Sequence, residues 1–218
     1  MMRTDDQQAT DPRNMKRGHL YVIAAPSGTG KTSLVRALMQ RMPELRFSIS
    51  YTTRPQRETE RPGHDYFFID KPTFEQMIEA GEFLEYANVY GNFYGTSRSQ
   101  VEQMLAAGDN VLLEIDWQGA QQISKTMPER LAIFILPPSR EALEQRLRGR
   151  KTDSDEVIAR RLRASIEDLS HWAEFDYVVI NDDFDRALAD LEAIVRGAGE
   201  HLRRDRAEVQ ALVAQLLA

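Results

Sequence analysis

The stretch HLYVIAAPSGTGKTSLVRALMQRM, residues 19–42, constrains the fold more than any other part of the chain. HLYVIAA (19–25) is a short apolar run ending on a glycine-rich turn, and KTSLVRALMQRM (31–42) has apolar residues at helical spacing. A buried strand that enters a tight turn and leaves as a helix opens an α/β layer. NVLLEID (110–116), LAIFILP (131–137) and DYVVIND (176–182) read as further buried strands, compact and rich in β-branched residues. Between them lie amphipathic segments over 140–150, 153–175 and 183–202. Strands alternating with helices predict a parallel sheet with right-handed crossovers. The stretch 47–96 breaks that rhythm. It is rich in Tyr, Phe, Arg and Gly, with short strand-like pieces DYFFID (65–70) and FLEYANVY (83–90), and reads as a mostly antiparallel insertion with its own binding surface. A chain of 218 residues, 42% of them apolar, is long enough for one core that carries such an insertion.

The turn itself has chemistry. In APSGTGKT (25–32) Gly28 and Gly30 allow consecutive N–H groups to curl round a phosphate, and the following helix adds its positive end. Lys31 supplies a point charge and Thr32 a hydroxyl suited to Mg²⁺. The pattern G-x-x-x-x-G-K-[ST] has glycine where Ala25 stands, and alanine fits there if φ stays negative. The end of the strand NVLLEID places Glu114 and Asp116 where an acidic residue would complete a magnesium site. Read alone, such carboxylates are equally at home as solvated strand ends.

Composition removes several alternatives. Lys and Arg number 28 against 34 Asp and Glu, a net charge of −6, so no overall basic field awaits a nucleic-acid backbone. There is no cysteine, which excludes disulfides, thiol catalysis and thiolate metal sites, and four scattered histidines leave little for a zinc centre. No apolar run approaches membrane-spanning length. Residues 1–17 are polar and mixed in charge, and read as a disordered extension without a secretory signal. A cytoplasmic enzyme is the plain expectation. Within the insertion, SISYTTRPQRETERPGHDYFF (48–68) carries Arg54 and Arg57 in a proline-containing turn, too close together and too exposed for packing. Two guanidinium forks on one loop suit a phosphate monoester, with Tyr66 and Tyr94 as added donors. An exposed basic loop over packed aromatics is the competing reading.

The motifs APSGTGKTS, SYTTRPQR, GHDYFF, EFLEYANVYGNFYGTS, EIDWQGAQQI and INDDFDRAL occur in this order, and together they resemble guanylate kinase of the bacterial type. The resemblance runs over residues 19–202. It implies ATP-dependent phosphorylation of GMP with Mg²⁺, on a P-loop fold of three layers around a parallel sheet. It further implies a core (18–46 and 97–218), an inserted mixed α/β subdomain for GMP over about 47–96, and a short lid over about 146–161. Bacterial members usually carry alanine at the position of Ala25. Carried over by motif, ATP falls to Ala25, Pro26, Ser27, Gly28, Thr29, Gly30, Lys31, Thr32 and Ser33, with Asn181 and Asp182 beside the adenosine. The GMP phosphate falls to Arg54, Arg57, Tyr66 and Tyr94, and the guanine to Ser50, Glu85, Thr96 and Asp116. Arg146, Arg150 and Arg161 are implied to close over the transferred phosphate, and Thr32, Asp116 and Glu114 to hold the metal. Glu114 departs from the family's usual aspartate. Guanine presents N1–H and an amine side by side, so a carboxylate such as Glu85 accepts from both, whereas adenine has no N1 proton.

The substrates implied are ATP and GMP, with dGMP a candidate second acceptor, and neither nucleic acid nor membrane. Three rivals remain. A kinase for another nucleoside monophosphate should lack the Ser50, Glu85, Thr96 set. A guanylate-kinase-like module that binds phosphopeptides usually has a damaged loop, and a simple P-loop NTPase leaves Arg54 and Arg57 unexplained. The apolar stripe of EVQALVAQLL (208–217) could cover the core or a second copy, so a homo-oligomer stays open.

Overall fold

The computed structural model describes residues 17–89, 91–149 and 155–218. Strand β1 (Leu20–Ala24) runs into the glycine turn and out as helix α1 (Lys31–Arg41), as the apolar periodicity requires. After β2 (Leu45–Phe47), the chain enters a second sheet with β3 (Tyr51–Thr52) and β4 (Phe67–Phe68). It continues through α2 (Lys71–Glu79), β5 (Phe83–Val89) and β6 (Asn92–Ser97). The chain then alternates through α3 (Arg98–Ala106), β7 (Asn110–Glu114), α4 (Trp117–Thr126) and β8 (Leu131–Leu136). It closes with α5 (Arg140–Arg148), α6 (Asp155–Leu169), β9 (Tyr177–Ile180), α7 (Phe184–Val195) and α8 (Ala207–Leu217).

The first sheet has the order β2-β7-β1-β8-β9 and is parallel throughout. Side chains alternate across it with the period of a strand. Leu20, Val22 and Ala24 face one layer, where Leu105 of α3, Ile123 of α4, Leu169 of α6 and Val213 of α8 cover the sheet. Tyr21 and Ile23 face the other, against Leu34 and Leu38 of α1 and Leu188 and Leu191 of α7. Three layers follow, with β1 buried on both faces. Each fully buried aliphatic side chain contributes about 1.5–3 kcal/mol, and Val22, Ile23, Leu34 and Leu38 are all at 0% exposure. The C-terminal helix spends its apolar stripe here: Val209, Val213 and Leu216 join the core.

The second sheet has the order β4-β3-β6-β5. It is antiparallel between β3, β6 and β5, with one parallel pair, β3 with β4. Phe74, Phe83 and Phe93 stack beneath it. Helices start where side chains can satisfy the first free N–H groups. Asp70 caps α2, Ser97 caps α3, Asp116 caps α4, Ser139 caps α5 and Asp183 caps α7. The helical segment read over 153–175 stops at Leu169 and turns into a short 3₁₀ piece at Trp172–Glu174. Residues 1–16 of the expected extension, and Arg150 of the expected lid, lie outside the described residues.

Candidate active site

The loop between β1 and α1 takes the shape its glycines permit. Gly28 and Gly30 have φ of 92° and 93°, a region L-residues with side chains avoid. Its outer side is held by three side chains distant in sequence. Arg146 of α5 donates from Nη1 to the Thr29 carbonyl at 3.1 Å and from Nη2 to the Asn181 carbonyl at 2.8 Å. Asn181 donates from Nδ2 to the same Thr29 carbonyl at 2.6 Å, and Ser165 of α6 donates to the Ser27 carbonyl at 3.1 Å. With its carbonyls engaged from outside, the loop keeps its inner face for a ligand. Lys31 and Thr32 start α1. The Lys31 ammonium donates to the Ile115 carbonyl at 2.8 Å and lies 3.9 Å from Glu114 Oε1. Thr32 donates its hydroxyl to the same Glu114 oxygen at 2.5 Å. The extra methylene of Glu114 therefore still leaves its carboxylate at the loop.

Two cavities meet at this lysine. The larger, about 480 Å³, is lined by the loop, by Glu114 and Asp116, and by Glu167 and Asp168 of α6. The smaller, about 220 Å³, runs from Lys31 into the second sheet past Ser50, Tyr66, Tyr94 and Glu85. Glu114, Asp116 and Val89 line both. Glu85 is 4% exposed and accepts a hydrogen bond from the Thr96 hydroxyl at 2.6 Å. Burial, reinforced by the charge of Asp116, pushes its pKa up to about 7 against the pull of Thr96 and Lys31. Asp116 spends one carboxylate oxygen on the Gly119 N–H at 2.8 Å, capping α4. Burial and the nearby carboxylate of Glu114 raise Tyr66 to about 12, so its phenol stays a donor.

The arginine loop differs in one respect from the sequence expectation. Arg57 is exposed, but the Arg54 side chain is only 14% exposed, with its guanidinium 5.5 Å from the Tyr66 ring centre and 5.8 Å from that of Phe68. The aromatic residues of β4 and its approach form a wall along which the flat cation packs, so exposure is no argument for its role. Both arginines share Glu60, which sequence reasoning missed. Arg54 donates to Glu60 Oε1 at 2.7 Å, and the Arg57 N–H donates to Glu60 Oε2 at 2.9 Å. Burial works against ionisation of both partners, but their pairing wins: Glu60 is held below its ordinary value and Arg54 above. The one sequence signal was a carboxylate three residues beyond Arg57.

Other positions are placed as follows. Asn181 abuts the loop, whereas Asp182 pairs with Arg186 at the start of α7. Arg146, implied to close over the phosphate, here braces the loop from behind. Arg161 lies on α6 and is half-buried. Trp117 was not singled out by sequence. It stacks on His171 with centroids 3.5 Å apart and donates to Asp168 at 3.0 Å, tying α4 to α6 beside the larger cavity. Burial raises Asp168 to about 6, with Asp116 adding to it and the Trp117 hydrogen bond opposing.

A phosphate-cradling loop on a parallel core, with a second sheet whose cavity ends at the loop lysine, defines a P-loop nucleotide phosphotransferase with room for two ligands. Comparison with known proteins narrows the class. A family model described as guanylate kinase matches residues 17–198. A guanylate kinase of Methylococcus capsulatus is 55% identical over 203 residues, covering 93% of this chain and all of that protein. One from Escherichia coli strain K12 is 50% identical over 206 residues, covering 94% and all, respectively. The crystal structure of guanylate kinase from Anaplasma phagocytophilum superposes with a TM-score of 0.71 at 32% identity, over 85% of this chain and 88% of that one. The chain belongs to the guanylate kinase family.

Proposed function

We propose that this chain transfers the γ-phosphoryl group of ATP to GMP, giving ADP and GDP. The observation that carries this reading is the buried Glu85 carboxylate, placed in a cavity that leads to the P-loop lysine. A guanine in that cavity offers N1–H and its amine to Glu85. Its phosphate then reaches toward Arg54 and the phenols of Tyr66 and Tyr94, and the ATP phosphates occupy the loop. An oxygen of the GMP phosphate attacks the γ-phosphorus in line, and the bond to the β–γ bridging oxygen breaks with ADP leaving. The acceptor is already ionised, so no general base is needed, and positioning plus charge neutralisation account for the catalysis.

Mg²⁺ fits the donor set. The hydroxyl of Thr32 and the carboxylates of Glu114 and Asp116 are hard oxygen ligands, and this metal commonly takes only one or two carboxylates alongside substrate phosphates. When bound it would neutralise charge on the β- and γ-oxygens. Arg54 and Arg57 would grip the GMP phosphate by exchanging part of their pairing with Glu60 for the ligand. Substrates that diffuse freely as nucleotides suit a cytoplasmic setting.

The test is turnover with ATP and Mg²⁺ against GMP, AMP, dTMP and UMP in turn, in the parent and in Lys31→Ala. GMP alone should be phosphorylated efficiently, and Lys31→Ala should lose roughly 10²–10³ in turnover, the usual cost of one preorganised charge donor. Equal rates on all four acceptors, or a folded Lys31→Ala protein at parental rate, would overturn the reading.

A further inference from the structure

Helix α4 and strand β5 meet along a seam that borders both cavities. At the third helical position of α4 stands Gly119. A Cβ placed there would lie 2.5 Å from Glu85 Oε2 and 3.1 Å from Glu85 Cδ. The carboxylate occupies the space an ordinary side chain would fill. One turn further, Gln122 lies against β5, which is an edge strand of its sheet. Its Nε2 donates to the Tyr86 carbonyl at 2.7 Å and its Oε1 accepts from the Tyr86 N–H at 3.2 Å. A side-chain amide thus satisfies both backbone groups that the strand edge would leave unpaired. The residue locked in this way is the immediate neighbour of Glu85.

We propose that Gly119 and Gln122 are positioning residues for guanine selectivity, acting through Glu85: Gly119 leaves the space the carboxylate needs, and Gln122 fixes the strand that carries it. The inference rests on Glu85 reading the guanine edge. Glu85 is boxed in, with Thr96 on one oxygen, Gly119 against the other and almost no exposure. An alanine at 119 therefore cannot be accommodated with the carboxylate in place. The carboxylate is the far end of a flexible side chain, so it is the part that yields while the backbone stays. Alanine also favours the helix over glycine. The fold is kept and the recognition group is displaced.

The experiment measures KM and kcat for GMP, AMP and ATP, with thermal midpoints, in Gly119→Ala, Gln122→Ala and the exposed control Lys125→Ala. Gly119→Ala should lose ~10²-fold in kcat/KM for GMP, the usual effect of misplacing a group by about 1 Å. Its preference for GMP over AMP should narrow, with KM for ATP within about twofold of parent and the thermal midpoint equal or higher. Gln122→Ala should lose about tenfold on GMP, two hydrogen bonds being forfeited at the strand edge, and Lys125→Ala should match the parent. In a Glu85→Ala background, Gly119→Ala should cost nothing further on GMP, because its target is gone. Parental GMP constants in folded Gly119→Ala and Gln122→Ala, or an undiminished loss in the Glu85→Ala background, would overturn the proposal. If Gly119→Ala does not fold, Gln122→Ala decides it alone. If Glu85→Gln keeps full preference for GMP over AMP, the assignment of Glu85 itself fails instead, a different outcome.

Discussion

Glu85 shows how one residue sets a pH response. Its folded pKa of about 7 lies above the ordinary 4.5 because burial disfavours the charge and Asp116 adds repulsion. A raised carboxylate pKa means that the folded protein holds a proton the unfolded chain has released. Its contribution to stability is present at low pH and is lost as pH rises from about 4.5 to about 7. Guanine has the opposite preference, since its N1–H and amine need the ionised form as acceptor. GMP binding below pH 7 must therefore expel the proton. Calorimetric titrations in buffers of different ionisation enthalpy should show proton release on GMP binding around pH 6.5, fading by about pH 8. The GMP phosphate titrates near pH 6 and contributes separately, so Glu85→Gln, which removes only the carboxylate component, separates the two. Absence of any difference between parent and Glu85→Gln in proton release would contradict the shifted carboxylate.

At the scale of elements, the P-loop is a structure held from outside. Arg146 on α5 and Asn181 at the end of β9 converge on one carbonyl of the loop. Arg146→Ala should leave that region with a donor missing beside a buried loop, costing about 1–3 kcal/mol in denaturant unfolding. ATP affinity should fall while GMP affinity stays near parent, as direct titration of each ligand will show. None of this convergence was legible in the sequence, since residues 29, 146 and 181 are far apart in the chain and meet only in the packed fold. What was legible followed from pattern. Strands β1, β7, β8 and β9 announce themselves as apolar runs because they are buried on both faces, and α1, α5 and α7 by helical spacing. Helix α4 did not, for WQGAQQISKT is polar and carries a glycine whose value lies in contact with β5. Three-residue β2 was too short to read. The loop lysine and threonine were visible by spacing, Arg54, Arg57, Tyr66 and Tyr94 by their chemistry within the insertion, and only the guanine set, Ser50, Glu85, Thr96 and Asp116, needed the family motifs. Glu60, Trp117, Asp168 and Gln122 escaped because their partners are set by tertiary packing rather than by any local pattern.

For the whole molecule, two cavities that meet between a core sheet and a second sheet predict closure on ligand binding. The larger cavity draws its walls from the loop, from α6 and from Asn88 and Val89 of β5, and the smaller joins it at Lys31. Phosphoryl transfer requires water to be excluded from between the two phosphates, because water competes as acceptor. The α4–β5 seam, with Gln122 clamping Tyr86, ties the second sheet to the core, and we expect it to serve as the pivot. On this geometry the far strands, β3 and β4 with the arginine loop, should swing toward the P-loop while Glu85 stays near the axis. We expect GMP alone to begin this closure by drawing Arg54 and Arg57 onto its phosphate. A non-hydrolysable ATP analogue should complete it by filling the loop and bringing its phosphates to Lys31 at the junction of the two cavities. Small-angle scattering should then give a radius of gyration that falls from free protein to GMP complex and again to the ternary complex. Arg54→Lys keeps the charge but loses the fork, so it should need more GMP to reach the first step and show the same final radius at saturation. A scattering profile unchanged by saturating concentrations of both ligands would mean that the cavities are already in their working arrangement, and the seam would then be a brace rather than a hinge.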